Sequence, residues 1–357
     1  MSLLLLLILM GTGSAETVFT VSFTGDVTLG GVEKGRNNSE SFDSYAAREG
    51  YAYFFRNLQD LFQNDDLTIV NLEGVLSDSA RNENKKKNIC LRGREDFAKI
   101  LTIGGIEACA VANNHMMDYG RQGYNTTIRT LQNHGLKICG NDLSFEIEKN
   151  GVRIGFFSFS GGYLTKANMK AVQERIKDMR KIGVNAIVCC FHAGQEYAPK
   201  RRKWDQERYE KTAVEEWGAD LVIMHHPHVL QGIDRIKDRY IFYSLGNFCF
   251  GGSTVIRNQE GNRQIRTLES MVLQMDLIFD EQGKLSGQKV RIYPCYISSS
   301  AEKAGDINDY QPRRVTGEQA RNVIHRIQED TAFDLGEPDW DTGVLVLPEL
   351  SVPGKGE

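Results

Sequence analysis

The 357-residue sequence has no excess of basic charge, no Cys-x-x-Cys pair, no internal repeat and no long Pro/Gly/Ser linker. Each absence removes a class of protein. A formal net charge of −4 supplies no global field to gather nucleic acid. Without a Cys-x-x-Cys pair there is no basis for a structural zinc finger or a thioredoxin-type redox motif. The apolar stretch Leu3 to Met10 is under half the roughly 20 residues a membrane helix needs, so no integral span is expected. At 41% hydrophobic and 25% charged, the composition is that of a folded globular chain rather than a disordered one.

What is present at the start is the pattern of a secretory signal peptide over residues 1–15. Leu3 to Met10 serves as the apolar region and Gly13-Ser14-Ala15 as a small-x-small cleavage site, although no Lys or Arg precedes them. This places the mature protein outside the cytoplasm: periplasmic, secreted or in the cell envelope. The seven cysteines favour the cytoplasmic alternative. Their number is odd and most lie in apolar runs, which reads as buried thiols rather than disulfides.

Beyond residue 16 the hydrophobic pattern alternates between strand and helix. Val18 to Thr24, Leu67 to Leu72, Ile106 to Ala112, Val184 to Phe191, Leu221 to Met224 and Tyr240 to Ser244 read as buried strands. Phe145 to Glu148 and Val152 to Phe159 form a strand pair around Asn150-Gly151. Helical spacing covers Tyr51 to Phe62, Glu95 to Leu101, Gly120 to His134, Ala167 to Lys181, Lys203 to Trp217 and Thr316 to Gln328. Leu268 to Phe279 and Gln288 to Pro294 read as later antiparallel strands. The alternation implies an α/β fold. Lys34 to Gly50, Ser77 to Arg94 and Gly251 to Arg263 read as surface insertions. The body is expected over 16–335, with an extended tail over 336–357.

The six buried strands share one property: each is followed by Asp, Glu, Asn or His. Asp26, Glu73, the group Asn113-Asn114-His115 with Asp118, His192, His225-His226-Pro227-His228 and Asn247 stand at these ends. Ligands bind at the carboxyl ends of parallel strands. Taken singly, most have ordinary readings: Asp26 as a turn residue, Glu73 as a solvated carboxylate, His192 as a core histidine. Three histidines in four residues do not. A mixed set of carboxylate, amide and imidazole donors suits manganese, iron or zinc better than calcium or magnesium. Two such ions sharing a carboxylate are a recurrent hydrolytic device, and a histidine off the metal can protonate a leaving group. His225, pointing opposite to His226 if its strand continues, reads as a non-ligand. Asp118 reads as an orienting partner of His115 or a helix cap. Lys85-Lys86-Lys87 and Lys200-Arg201-Arg202-Lys203 read as solvated faces, the second with a minority role as an anion-attracting rim.

The ordered series Gly25-Asp26, Asn71-Leu72-Glu73, Ala112-Asn113-Asn114-His115-Met116-Met117-Asp118-Tyr119-Gly120, His192 with Gly194 and Glu196, His226-Pro227-His228-Val229-Leu230-Gln231 and Ser244-Leu245-Gly246-Asn247-Phe248 resembles that of the CapA-type capsule-synthesis (poly-γ-glutamate) family, within the calcineurin-like metallophosphoesterases. The resemblance implies a four-layer α/β sandwich of two mixed sheets flanked by helices. It also implies roles. Asp26 and His228 would hold a first divalent ion; Asn114, His192 and His226 a second. Glu73 would stand where the superfamily has its bridging Asp, and His115 would be the general acid. Asn113, Glu196 and Asn247 are candidates for substrate contact. Position 28 is Thr where the wider superfamily has a histidine ligand, which leaves a one-ion site as an alternative. The function implied is a metal-dependent hydrolase of a phosphoester or γ-glutamyl amide, acting on an anionic substrate or capsule polymer with envelope capsule machinery. The alternative is a non-catalytic metal-binding factor for polymer export or assembly.

Overall fold

In the computed structural model the described residues are 16–160, 166–202, 207–251, 265–299 and 308–351. The expected signal segment 1–15, most of the 251–263 insertion and the start of the helix expected at Lys203 lie outside them.

The chain opens with β1 (Thr17–Thr28) and β2 (Leu67–Leu72), passes a short pair β3 (Val75–Leu76) and β4 (Arg92–Gly93), and adds β5 (Ala108–Ala110) and β6 (Lys137–Cys139) parallel to the first two. A second sheet follows, in the spatial order β11-β12-β10-β9-β8-β7. Its strands are β7 (Ser144–Lys149), β8 (Val152–Ser160), β9 (Ala186–His192), β10 (Leu221–His225), β11 (Ile233–Ile236) and β12 (Arg239–Phe242). The chain then returns to the first sheet. β13 (Asn247–Phe250) lies parallel beside β1, β14 (Glu269–Phe279) runs antiparallel on β1, and β15 (Leu285–Tyr296) pairs with β14. Three short strands, Arg313–Arg314, Leu345–Val346 and Leu350–Ser351, pair with β15, so part of the chain after Glu337 belongs to this sheet.

The two-residue period of the strands builds the layers. Val21 and Phe23 of β1, Leu67 and Ile69 of β2, Val188 and Cys190 of β9, and Leu221 and Ile223 of β10 meet in one core between the sheets. The alternate residues face outward. Val70, Leu72 and Cys109 pack under α1 (Phe42–Glu49), α2 (Gln59–Phe62), α3 (Ala98–Gly104) and α4 (Gly120–Asn133). Ile187, Cys189, Val222 and Met224 pack under α5 (Lys166–Lys181) and α6 (Arg208–Glu215). The result is helix, sheet, sheet, helix: the expected four-layer α/β sandwich.

Two segments differ from their sequence reading. Lys34 to Gly50 is not merely a surface insertion: α1 is capped by the Ser41 hydroxyl on Ser44 N–H at 3.2 Å, and Phe42 stacks on Phe54 at 4.4 Å within the core. Tyr51 to Phe62 is not one helix. Tyr53, Phe54 and Phe55 are all buried, and three consecutive residues span too wide an arc for one helical face, so the backbone breaks before α2.

Candidate metal centre

The polar cluster arises where the inward phase of the strands runs past the apolar core. After Leu67 and Ile69 the next inward residue of β2 is Asn71; after Val188 and Cys190 in β9 it is His192; after Leu221 and Ile223 in β10 it is His225. Both sheets therefore contribute at the same end of the sandwich, rather than a single sheet edge. Asp26 lies inside β1, not after it, past an irregularity in register between Phe23 and Asp26. Gly25 makes this bend feasible: a Cβ there would stand 2.3 Å from the Gly246 carbonyl oxygen, and the close approach lets Asp26 N–H donate to that oxygen at 2.9 Å. Asn247 does not end the Tyr240 strand. It opens β13 in the other sheet, with its Cα in register with Asp26.

Glu73, just beyond β2, is the centre of the cluster. It is 1% exposed, and neither carboxylate oxygen has a hydrogen-bond partner among the described residues. Its Oε1 lies 3.6 Å from His192 Nε2, 3.7 Å from His115 Nε2 and 3.8 Å from His228 Nε2. His192 Nε2 is in turn 2.9 Å from Asn114 Oδ1 and 3.1 Å from His226 Nδ1. On the other side, Asp26 Oδ2 is 3.3 Å from His228 Nδ1 and accepts His226 N–H at 3.3 Å. One donor atom each from Glu73, His226 and His228 lie mutually within 4.8 Å. All six residues expected to bind metal are thus gathered in one place. His225 turns away, its Nε2 bonding the Thr24 carbonyl at 2.9 Å.

The backbone is strained where the loop after β10 turns. His226 and His228 have φ of 102° and 58°, and Tyr197, whose N–H donates to the Pro227 carbonyl, has 62°. Non-glycine residues take this region only where surroundings impose it. Electrostatics follow burial. Desolvation pushes Glu73 up to about 8 despite the nearby His228. It opposes charge on His228, but Glu73 and Asp26 outweigh it and lift that ring to about 10. Burial holds His192 well below the ordinary histidine value, and lowers His226 with the help of the His228 charge. Asp26 is pushed up by burial, yet its hydrogen bond to His228 and the charge of the surrounding imidazoles bring it below the usual carboxylate range.

Beside Glu73, His115 Nδ1 bonds Asp118 Oδ2 at 2.6 Å, which leaves Nε2 facing the cluster. Asp118 orients the ring and does not cap α4. Two expected substrate contacts are otherwise occupied. Asn113 accepts His115 N–H at 3.0 Å and donates to the Leu72 carbonyl at 2.7 Å; Asn247 Oδ1 is 2.9 Å from His228 Nδ1 and its amide nitrogen meets the Thr267 carbonyl at 3.4 Å. Both are buried braces, whereas Glu196 is exposed on the loop after His192. Arg201 does not rim the site. It is buried against Glu207, Asp234 and Asp330 at 3.2–3.3 Å, because three carboxylates converge there.

Residues 20–252, which hold every residue of this cluster, match the family model described as bacterial capsule synthesis protein PGA_cap. The chain belongs to this family. It is 31% identical over 255 residues to the capsule biosynthesis protein CapA of Bacillus anthracis, covering 65% of this chain and 59% of that one. It is 30% identical over 269 residues to the PGA biosynthesis protein CapA of Bacillus subtilis (strain 168), covering 68% of each. The match thus spans about three fifths of the Bacillus anthracis protein's length. Among solved structures, a Mycoplasma pneumoniae protein described as a novel phosphatase aligns over 78% of this chain and 94% of its own, at 14% identity and a TM-score of 0.48, a likeness too slight to bear on chemistry.

Two residues of this chain have site contacts that their sequence context did not assign. Asn71 was visible only as part of a motif. Its amide nitrogen donates to Asp26 Oδ1 at 2.8 Å and lies 3.2 Å from His192 Nδ1, tying the two sheets together. The signal was an amide in the inward phase of an apolar strand. Lys87, read as part of a solvated run, reaches His115 and Asp118, and no local pattern announces a contact made from a loop across 31 residues.

Proposed function

We propose that this chain acts in capsule synthesis as a metal-dependent phosphoester hydrolase, working outside the cytoplasm on an anionic capsule polymer or its precursor. The observation that carries the reading is Glu73. A buried carboxylate without a hydrogen bond costs several kcal/mol, and burial drives the neighbouring His192 and His226 toward neutrality. A divalent cation supplies the missing charge. The residues present fit one: Glu73, Asn114, His192 and His226 would hold an ion, and Asp26 and His228 a second that shares Glu73. With Thr28 in place of an imidazole, the first set is the more complete. Its mixed O/N character suits manganese, iron or zinc.

When bound, such an ion activates a water and polarises the phosphoryl oxygen. The protein's part is proton handling. As the water oxygen bonds to phosphorus and the bond from phosphorus to the leaving oxygen breaks, His115 Nε2 gives its proton to that leaving oxygen. Asp118 keeps Nδ1–H engaged, so only Nε2 faces the reacting atoms. The water's own proton passes to solvent or back to His115.

The test is metal analysis of protein purified without chelators, paired with a panel of phosphomonoesters, phosphodiesters and γ-glutamyl amides assayed with manganese, iron or zinc. One or two ions per chain and phosphoester turnover are expected. Bound metal without turnover of any substrate replaces the enzyme with a metal-binding assembly factor; turnover of the amide alone reassigns the bond cleaved.

A further inference from the structure

We propose that Lys87 is a positioning residue for the acid His115, forming a Lys–Asp–His series with Asp118. Its neighbour Lys85 is 81% exposed on the side chain, whereas Lys87 is only 30% exposed. The Lys87 ammonium bonds Asp118 Oδ1 and the Asn114 carbonyl at 3.0 Å, and lies 3.3 Å from His115 Nδ1. Asp118 is fully buried; its Oδ2 accepts both His115 Nδ1–H at 2.6 Å and Leu91 N–H at 2.7 Å. Asn84 N–H donates to the Asp118 carbonyl at 2.8 Å, and Lys87 N–H to the Asn84 carbonyl at 3.0 Å. Among the described residues, the side-chain oxygens of Asp118 take their donors, apart from the imidazole, from Lys87 and Leu91, so segment 84–91 is a strap around the acid. A buried carboxylate that loses a charged hydrogen-bond donor is free to rotate away from the imidazole. Lys87 holds Asp118 against that rotation, and its bond to the Asn114 carbonyl fixes the acid relative to the neighbouring amide.

The catalytic consequence rests on the hydrolase reading; the positioning itself does not. Two measurements separate them. In ¹⁵N-histidine NMR of the full chain, the strongly bonded Nδ1–H of His115, assigned by its absence in His115→Gln, is expected in the wild type and in Lys87→Arg and lost in Lys87→Met. In hydrolysis assays, Lys87→Met lowers kcat about 10- to 100-fold for alkyl phosphates, whose leaving oxygen needs a proton, and under about 3-fold for dinitrophenyl phosphate, with metal content unchanged. Lys87→Gln, which keeps a donor but not the charge, serves for both if the methionine variant does not fold, with the same direction expected. Persistence of the Nδ1–H resonance, or an equal loss for both leaving groups, overturns the proposal. If the wild type hydrolyses no phosphoester, the hydrolase reading fails and the NMR result still decides Lys87.

Discussion

Glu73 is a buried carboxyl group that no donor answers among the described residues, and that makes its replacement informative in both directions. Glu73→Gln keeps the volume and removes the ionisable group. Metal affinity is expected to fall at least about 10-fold, as for the loss of a ligand or its close support. The metal-free variant should nevertheless melt no lower than the metal-free wild type, and higher above pH 8, because an unpaired buried carboxylate is gone. Metal analysis and thermal melts in chelator measure the two; a drop in both would mean that Glu73 is structural. His115→Ala should separate differently: metal retained, and kcat lowered by roughly 10²–10⁴. How much of this was legible varies residue by residue. Asp26, His192, His226 and His228 were visible because each stands late in an apolar strand or just after one. Asn113 and Asn114 are the same residue type side by side, and composition does not say that Asn113 spends both amide ends on the backbone while Asn114 faces His192. Lys87 was invisible because its role is a contact between segments.

The strands position these side chains only if β1 and β13 approach closely. Gly25→Ala would place a methyl 2.3 Å from the Gly246 carbonyl oxygen, and backbone cannot swing aside as a side chain can. The expected cost is about 1–3 kcal/mol in urea denaturation. Asp26 is the next residue, so metal content should fall with it; a variant of wild-type stability and metal content would show that the two strands separate freely. At this level the sequence was informative where a period was clean. β2 has the expected limits, Leu67 to Leu72, and the hairpin turn sits at Asn150-Gly151, both with positive φ. It was less informative where tertiary packing overrode period, as in the broken Tyr51–Phe62 segment, and where sheet membership was at stake. Nothing in Ser244-Leu245-Gly246-Asn247 says that the chain has crossed from one sheet to the other, yet this crossing sets Asn247 beside Asp26.

The sandwich brings groups of opposite titration behaviour into one cluster, which fixes how the whole molecule responds to pH. In the metal-free protein Glu73 titrates near 8 against an ordinary 4.5, and His228 near 10 against 6.5. Both hold protons that the unfolded chain gives up, so their contribution is present at low pH and is lost as pH rises through about 8 and then about 10. Asp26, His192 and His226 shift the other way. The unfolded chain takes up protons on them before the folded one does, so their contribution is lost as pH falls. Metal-free stability should therefore peak between these flanks, near neutrality. A divalent ion competes with the protons on Glu73 and His228, so binding releases protons and strengthens as pH rises from 6 toward about 8. Excess ion adds stability as RT ln(1 + [L]/Kd), about 2.7 kcal/mol at a hundredfold excess over Kd. Melting curves from pH 5 to 9, with chelator and with manganese or zinc, should then diverge on the alkaline side: the metal-free midpoint declines while the loaded one holds. Parallel curves across that range would mean that the ion does not sit at Glu73, and calorimetric titrations in buffers of different ionisation enthalpy would then show no proton release.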